Sequence, residues 1–304
     1  MRMQNSDWIL LLVLGVLWGG SFVFTSIAIV ELPPLSLATL RFGLSALALC
    51  LWAILRGVRI ELSLGLVLAF LAMGLLNNML PFSLIAFGQQ QIPAGMAAIL
   101  NSTAPLFSAV LTPLLTRDGE RFSVLRFVGV FFGIAGVAVL SLPALSGQTK
   151  FAAWALLPGL GAALSYAFAA IWGMRFRGLP VLVIAAGQLL GATILGLPLA
   201  LAFDQPWLLR LSSEVWAAMI GLALISTALG YLVYFRLLVN AGPTNALLVT
   251  FLIPPAAVLI DLLAFGQRLP DLALPASLLI FAGIACVDGR APGFVRSKLA
   301  AAWR

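Results

Sequence analysis

The sequence predicts an all-α integral membrane protein: ten transmembrane helices, arranged as two inverted five-helix repeats around a central cavity. Three observations carry that expectation. The composition is that of a chain dissolved in lipid, apolar runs of membrane-spanning length recur ten times, and residue coincidences link the two halves at a spacing of about 150 residues.

Of the 304 residues, 62% are hydrophobic and 9% charged, and the mean hydropathy is +1.13. A soluble domain carries about 25% charged residues. The net charge of +7 invites a nucleic-acid reading, but the basic residues stand singly or in pairs at the ends of apolar runs, with no basic patch. No nucleic-acid partner is expected; orientation in the membrane accounts for the charge. The two cysteines, Cys50 and Cys286, lie inside apolar runs, and there is no histidine. A disulfide framework, a zinc site and histidine acid–base catalysis all lack their usual residues, so neither a metal, a cofactor nor an enzymatic activity is expected.

With about 20 residues needed to cross the hydrocarbon core, the runs fall in order at 8–30, 35–56, 64–87, 92–115, 121–142, 151–174, 180–203, 214–238, 243–265 and 272–290. The first follows Arg2 but is too long for a signal-peptide core and precedes nine more, so it reads as a retained helix. The fourth is interrupted by Asn101 to Pro105, polar and then helix-breaking; a proline there removes a donor and displaces the carbonyl of Asn101. The ninth is interrupted by Pro254 and Pro255, which free the carbonyls of Thr250 and Phe251. The fifth and tenth hold only apolar residues and glycine at their middles, around Phe131, Phe132 and Phe281, and are expected at the periphery. Connections are short and leave no room for a soluble domain. With both termini in the cytoplasm, Lys150, Arg210 and Arg268 fall outside, Arg41 lies within a helix, and the other thirteen of seventeen Lys and Arg fall inside.

Two repeats, 1–145 and 146–304, follow from internal matches. A shift of 150 pairs Pro93 with Pro243, Pro105 with Pro255, and Gly133-Ile134-Ala135 with Gly283-Ile284-Ala285; shifts of 146 and 147 pair Trp8 with Trp154 and Gly119 to Arg121 with Gly266 to Arg268. Because five helices is an odd number, the second repeat enters from the opposite side. Inverted repeats of this kind place a solute site near the bilayer midplane, between the halves.

Polar and aromatic residues at that depth are the candidate cavity lining: Trp18, Ser21, Phe22, Asn77, Asn78, Phe82, Asn101, Ser102, Tyr166, Thr227, Tyr231 and Thr250. The breaks at Pro105 and Pro254 are candidate hinges, since irregular backbone at membrane depth is tolerated where it is buried in protein or lines a wet cavity. Helix-to-helix hydrogen bonding is the simpler reading for a lone Ser or Thr; for Asn77, Asn78 and Asn101 the cost of burying an amide favours a functional one. Asn101 and Ser102 align with Phe251 and Leu252, so the first half is expected to supply more of the polar contacts.

Leu40-Arg41-Phe42, Pro105 after its small polar run, Gly119-Glu120-Arg121 and Gly133 to Val137 resemble the EamA repeat of the drug/metabolite transporter superfamily. Gln188-Leu189-Leu190, Tyr231 to Arg236, Pro254-Pro255 and Gly266-Gln267-Arg268 resemble it again, with Gln267 where the repeat usually has Glu. The resemblance implies ten helices in two inverted repeats and transport of small metabolites, commonly export of amino acids. Arg41, Asp261 and Asp288 are the charges within or at the edges of spans; snorkelling to the interface is the expected state of all three, with an Arg41–Asp261 pair as the alternative. The first helix has no interior carboxylate, and an uncharged cavity suits a neutral or zwitterionic solute moved by alternating access. Proton-coupled export of drugs or other organic compounds is the alternative function.

Overall fold

The computed structural model describes residues 4–58, 63–115, 124–145, 151–176, 178–241, 249–266, 269 and 271–287. Ten apolar helical segments lie among them: α1 (Asn5–Ala28), α2 (Pro34–Leu55), α3 (Leu64–Gln89), α4 (Ala94–Leu115), α5 (Val124–Leu145), α6 (Ala153–Phe176), α7 (Val181–Asp204), α8 (213–241), α9 (Val249–Phe265) and α10 (Ala273–Val287). The stretches forming α1 to α4 and α6 to α8 are long and apolar enough to cross a membrane, and α5, α9 and α10 contain shorter apolar helices. Gly119 to Arg121, Gln267, Arg268 and Asp288 lie outside the described residues.

Helix ends are set by local chemistry. Asp7 accepts from the Gln4 backbone N–H at 2.9 Å and completes a capping box at the start of α1. Ser63 and Ser212 accept from the Leu66 and Val215 amides to cap α3 and α8. Prolines precede α2, α4 and α7, where a missing N–H removes no helical bond. Gly57, at φ +66°, ends α2 in the left-handed conformation, with Val58 N–H returning to the Ala53 carbonyl at 3.0 Å.

Two acids cap helices far away in sequence. Glu31 accepts from the Ser212 amide at 2.7 Å, and Asp204 accepts from the Ser36 amide at 2.6 Å. Each places a carboxylate on the positive end of another helix. Glu31→Ala and Asp204→Ala are each expected to cost about 1 kcal/mol, the usual worth of such a cap. The check is a fall of a few degrees in melting temperature in detergent, with the fold retained.

The helices of the two halves interleave. Mapping α1–α5 onto α6–α10, the pairs α1–α9 and α6–α4 are counterparts, as are α2–α8 and α7–α3, and α1–α8 and α6–α3; α2–α7 and α5–α10 pair each helix with its own equivalent. Small residues set the closest approaches. A Cβ on Gly19 of α1 would lie 2.9 Å from the Ala257 nitrogen and 3.0 Å from the Ile253 oxygen of α9. A Cβ on Gly283 would meet the Gly133 nitrogen at 2.9 Å, and one on Gly136 the Ala276 oxygen at 2.8 Å. The repeated Gly-Ile-Ala motif therefore has a packing cause: it lets α5 and α10 touch. Phe127, Phe131 and Ile134 of α5 and Leu274 and Leu278 of α10 are exposed, an apolar surface of the kind that faces lipid.

The two predicted helix breaks differ. In α4 the helix stops after Asn101 and restarts at Ala104, with Ser102 and Thr103 in a turn. Pro105 cannot donate to the Asn101 carbonyl, and the chain recovers through bonds from Thr103 N–H to Leu100 O at 3.1 Å and Leu106 N–H to Thr103 O at 2.9 Å. In α9 the helix runs unbroken from Val249 through Pro254 and Pro255 to Phe265, against expectation. The proline rings are accommodated in a continuous helix whose Ile253, Ala256 and Ala257 seat Gly19 of α1.

Candidate functional site

The polar and aromatic side chains that meet between the halves come from α1, α2, α3, α6, α7 and α8. They are organised around Arg41, which is 3% exposed. Its Nε donates to Thr227 Oγ1 at 2.9 Å, and its guanidinium lies 3.9 Å from the Phe82 ring centroid and 5.7 Å from that of Phe42. Phe82 packs edge-on against both Phe42, at 5.3 Å, and Tyr166, at 6.1 Å. On the other side Trp18 meets Tyr231 edge-on at 6.3 Å and Tyr234 at 5.5 Å. All three tyrosines of the chain belong to this ring.

A second joint lies beside it. Asn77 Nδ2 donates to Gln188 Oε1 at 2.8 Å, linking α3 to α7, and Gln188 hydrogen-bonds Tyr231. Ser165 Oγ donates to the Leu76 carbonyl at 2.7 Å, linking α6 to α3.

Local backbone explains how these groups reach one another. Besides the π turn that ends α7 at Ala200–Asp204, two helices widen into π turns in mid-course, α3 at Leu75–Met79 and α8 at Gly221–Leu229. In α3 the ring of Pro81 displaces the Asn77 carbonyl four residues back, so the extra residue is accommodated there. In α8, Thr227 Oγ1 donates to the Leu222 carbonyl at 2.8 Å, five residues back. The two π turns occupy equivalent places in the two halves and carry Asn77, Asn78 and Thr227; π turns within helices recur at functional sites.

The candidate residues divide accordingly. Trp18, Asn77, Phe82, Tyr166, Thr227 and Tyr231 are brought together. Asn78 sits on the π turn, buried, with neither amide atom partnered among the described residues. Asn101 is half-buried at the α4 break with Oδ1 likewise unpartnered. The hydroxyls of Ser21 and Ser102 bond their own helices at the Trp18 and Ile99 carbonyls. Phe22 packs in an apolar cluster with Ile85, Met96 and Ile99, and Thr250 is half-buried on α9.

Three expectations change. Arg41 does not snorkel; the aromatic rings and Thr227 hold it inside. Asp261 is also buried, at 2% exposed, and its Oδ2 takes the Gly95 amide at 3.2 Å, so the two charges have separate partners. The polar share does not fall to the first half, because Gln188, Thr227 and the tyrosines come from the second. Gln188 and Arg41 were the residues hardest to read as site residues. The depth of Arg41, about 10 Å along α2 from Pro34 at 1.5 Å per residue, was the available signal.

An open cleft of about 400 Å³ approaches from one end of the bundle, lined by Leu76, Leu115, Phe168, Ile171, Trp172, Met174 and Arg175. Trp172 Nε1 donates to the Ala69 carbonyl at 3.1 Å, and the Arg175 guanidinium lies 3.6 Å from the centroid of its ring. Leu76 is its nearest lining residue in sequence to the Asn77–Gln188 joint.

Fold and site together define a multi-pass helical membrane protein with a polar, aromatic centre. A family model described as the EamA-like transporter family matches residues 6–142 and again 153–287. The chain belongs to the EamA-like transporter family. It is similar to the uncharacterized inner membrane transporter YedA of Escherichia coli strain K12, 26% identical over 283 residues that cover 92% of this chain and 90% of YedA. A probable terminal-alkyne amino-acid exporter of Streptantibioticus cattleyicolor is 25% identical, covering 96% of both chains. A probable amino-acid metabolite efflux pump of Salmonella typhimurium is 27% identical, covering 93% of this chain and 94% of that protein. Among solved structures, a crystal structure matches with a TM-score of 0.65 and 20% identity, covering 94% of this chain and 98% of its own, which establishes a shared fold.

Proposed function

We propose that this transporter exports or exchanges amino acids or closely related small metabolites across the inner membrane. Two five-helix repeats of opposite topology rock about the ring around Arg41, with the break before Pro105 as a hinge. The observation that carries the reading is the ring with its adjoining joint: equivalent π turns of the two halves supply Thr227 to the one and Asn77 to the other, as a site between repeats requires. The names of two relatives, an amino-acid exporter and an amino-acid metabolite efflux pump, support the substrate class. The distribution of Lys and Arg supports an orientation with both termini in the cytoplasm.

The test is counterflow of labelled amino acids into proteoliposomes loaded with unlabelled ones. Accumulation above protein-free vesicles is expected, insensitive to a protonophore. Absence of uptake for every amino acid overturns the assignment. Proton-coupled export is a second reading, favoured by the buried Asp261, whose Oδ1 has no hydrogen-bond partner among the described residues. It predicts that a protonophore stops transport and that Asp261→Asn removes the proton dependence.

A further inference from the structure

Among the described residues Arg41 is the only buried cation. A charge at that depth is costly unless something answers it, and intramembrane charges mark solute paths. Its surroundings answer it only in part. Nε is taken by Thr227, and the Phe82 and Phe42 rings stand on one side of the guanidinium, 3.9 Å and 5.7 Å from it to their centroids. The two terminal nitrogens, the planar fork that matches a carboxylate, have no hydrogen-bond acceptor among the described residues. The charged or ionisable groups nearest it are the phenols of Tyr166 and Tyr231. The buried acid Asp261 is engaged instead with the Gly95 amide, between α4 and α9.

A purely structural role is a poor explanation of this geometry. The joint between α2 and α8 is already made one turn away by Ser45, whose hydroxyl bonds both the Arg41 carbonyl at 2.7 Å and the Ala223 carbonyl at 3.0 Å. The rings and Thr227 hold the guanidinium in place, and its two terminal nitrogens are left for an incoming group. We propose that Arg41 is the carboxylate anchor of the transport site, and that the substrates are solutes bearing a carboxylate rather than amines, amides or cationic drugs. The faces of Trp18, Tyr231 and Tyr234 then offer a cation-π surface for an ammonium group. The proposal rests on the transport reading above and names its substrate class.

The experiment compares each of L-leucine and L-phenylalanine with its own amide, which keeps the ammonium and side chain and loses the carboxylate. Binding is read by ligand-induced thermal stabilisation of the purified protein, and transport by counterflow. The acid is expected to bind roughly tenfold or more tightly than the amide in the wild type, as a bidentate charge-assisted pair implies. Arg41→Gln is expected to erase that ratio by weakening the acid alone, and Arg41→Lys to keep part of it. Equal binding of acid and amide by the wild type, binding of neither, or an unchanged acid-to-amide ratio in Arg41→Gln overturns the anchor. If Arg41→Gln does not yield folded protein, the wild-type ratio and its partial loss in Arg41→Lys decide. Transport of acid and amide alike leaves the exporter reading standing and removes the anchor; acid-selective binding without transport does the reverse.

Discussion

Gly74→Leu is expected to abolish folded protein. A Cβ on Gly74 would lie 2.6 Å from the Gly191 carbonyl carbon and 2.7 Å from the Gln188 oxygen, and closer still to the Ala192 nitrogen. All of these are backbone atoms of α7, which cannot swing aside as a side chain does. The contact is reciprocal, since a Cβ on Gly191 would meet the Phe70 oxygen and the Leu71 Cα, the latter at 3.1 Å. Forcing the two helices apart is expected to cost about 3 kcal/mol or more, the upper range for overpacking. It also draws the π turn at Leu75–Met79 away from Gln188. Size-exclusion profiles after heating provide the check, with Gly65→Leu as control because nothing lies within 4 Å of a Cβ there. A Gly74→Leu protein melting within a few degrees of wild type would contradict the close packing of α3 on α7.

Gln188→Leu is expected to be the most damaging single change within the site. It leaves Asn77 Nδ2 without its 2.8 Å acceptor and removes a hydrogen bond to Tyr231. An orphaned polar group in a dry interior costs about 1–3 kcal/mol, whereas replacing both partners by apolar groups is nearly neutral. The double variant Asn77→Leu, Gln188→Leu should therefore regain the part of the loss that comes from the orphaned Asn77 amide, keep the part that comes from Tyr231, and regain none of the transport. A double-mutant cycle on melting measures the coupling. Simple addition of the two effects would mean that the amides do not depend on each other.

The helices were legible because lipid imposes a strong filter: an unbroken apolar stretch of about 20 residues has few other uses. The order of the ten segments follows the sequence expectation. The α4 break could be read because Pro105 acts locally on the Asn101 carbonyl. The missing break in α9 could not, since Pro254 and Pro255 alone do not reveal that α1 packs its Gly19 against the same helix. The candidate site was partly legible: midplane depth selects Trp18, Asn77, Tyr166 and Thr227, and aromatic character adds Phe82 and Tyr231, the six candidates that the structure brings together. Depth alone does not give rotation about the helix axis, so it could not separate them from Ser21, Phe22 and Ser102. Arg41 reads from sequence as a snorkelling residue because its long side chain could reach the interface from where its backbone sits. Only the placement of Phe82 on α3 and Thr227 on α8 shows that it stays inside.

The central claim is that solute binds in the ring shared by the two halves, and counterflow of labelled amino acid in variants of that ring tests it most directly. Asn77→Ala, Thr227→Ala and Tyr231→Phe are expected to lower uptake about tenfold or more at subsaturating solute, as lost hydrogen bonds to a buried solute imply. Phe131→Ala, on the outward face of α5, should transport as the wild type does. Wild-type uptake in all three ring variants, at equal protein per vesicle, would contradict the account.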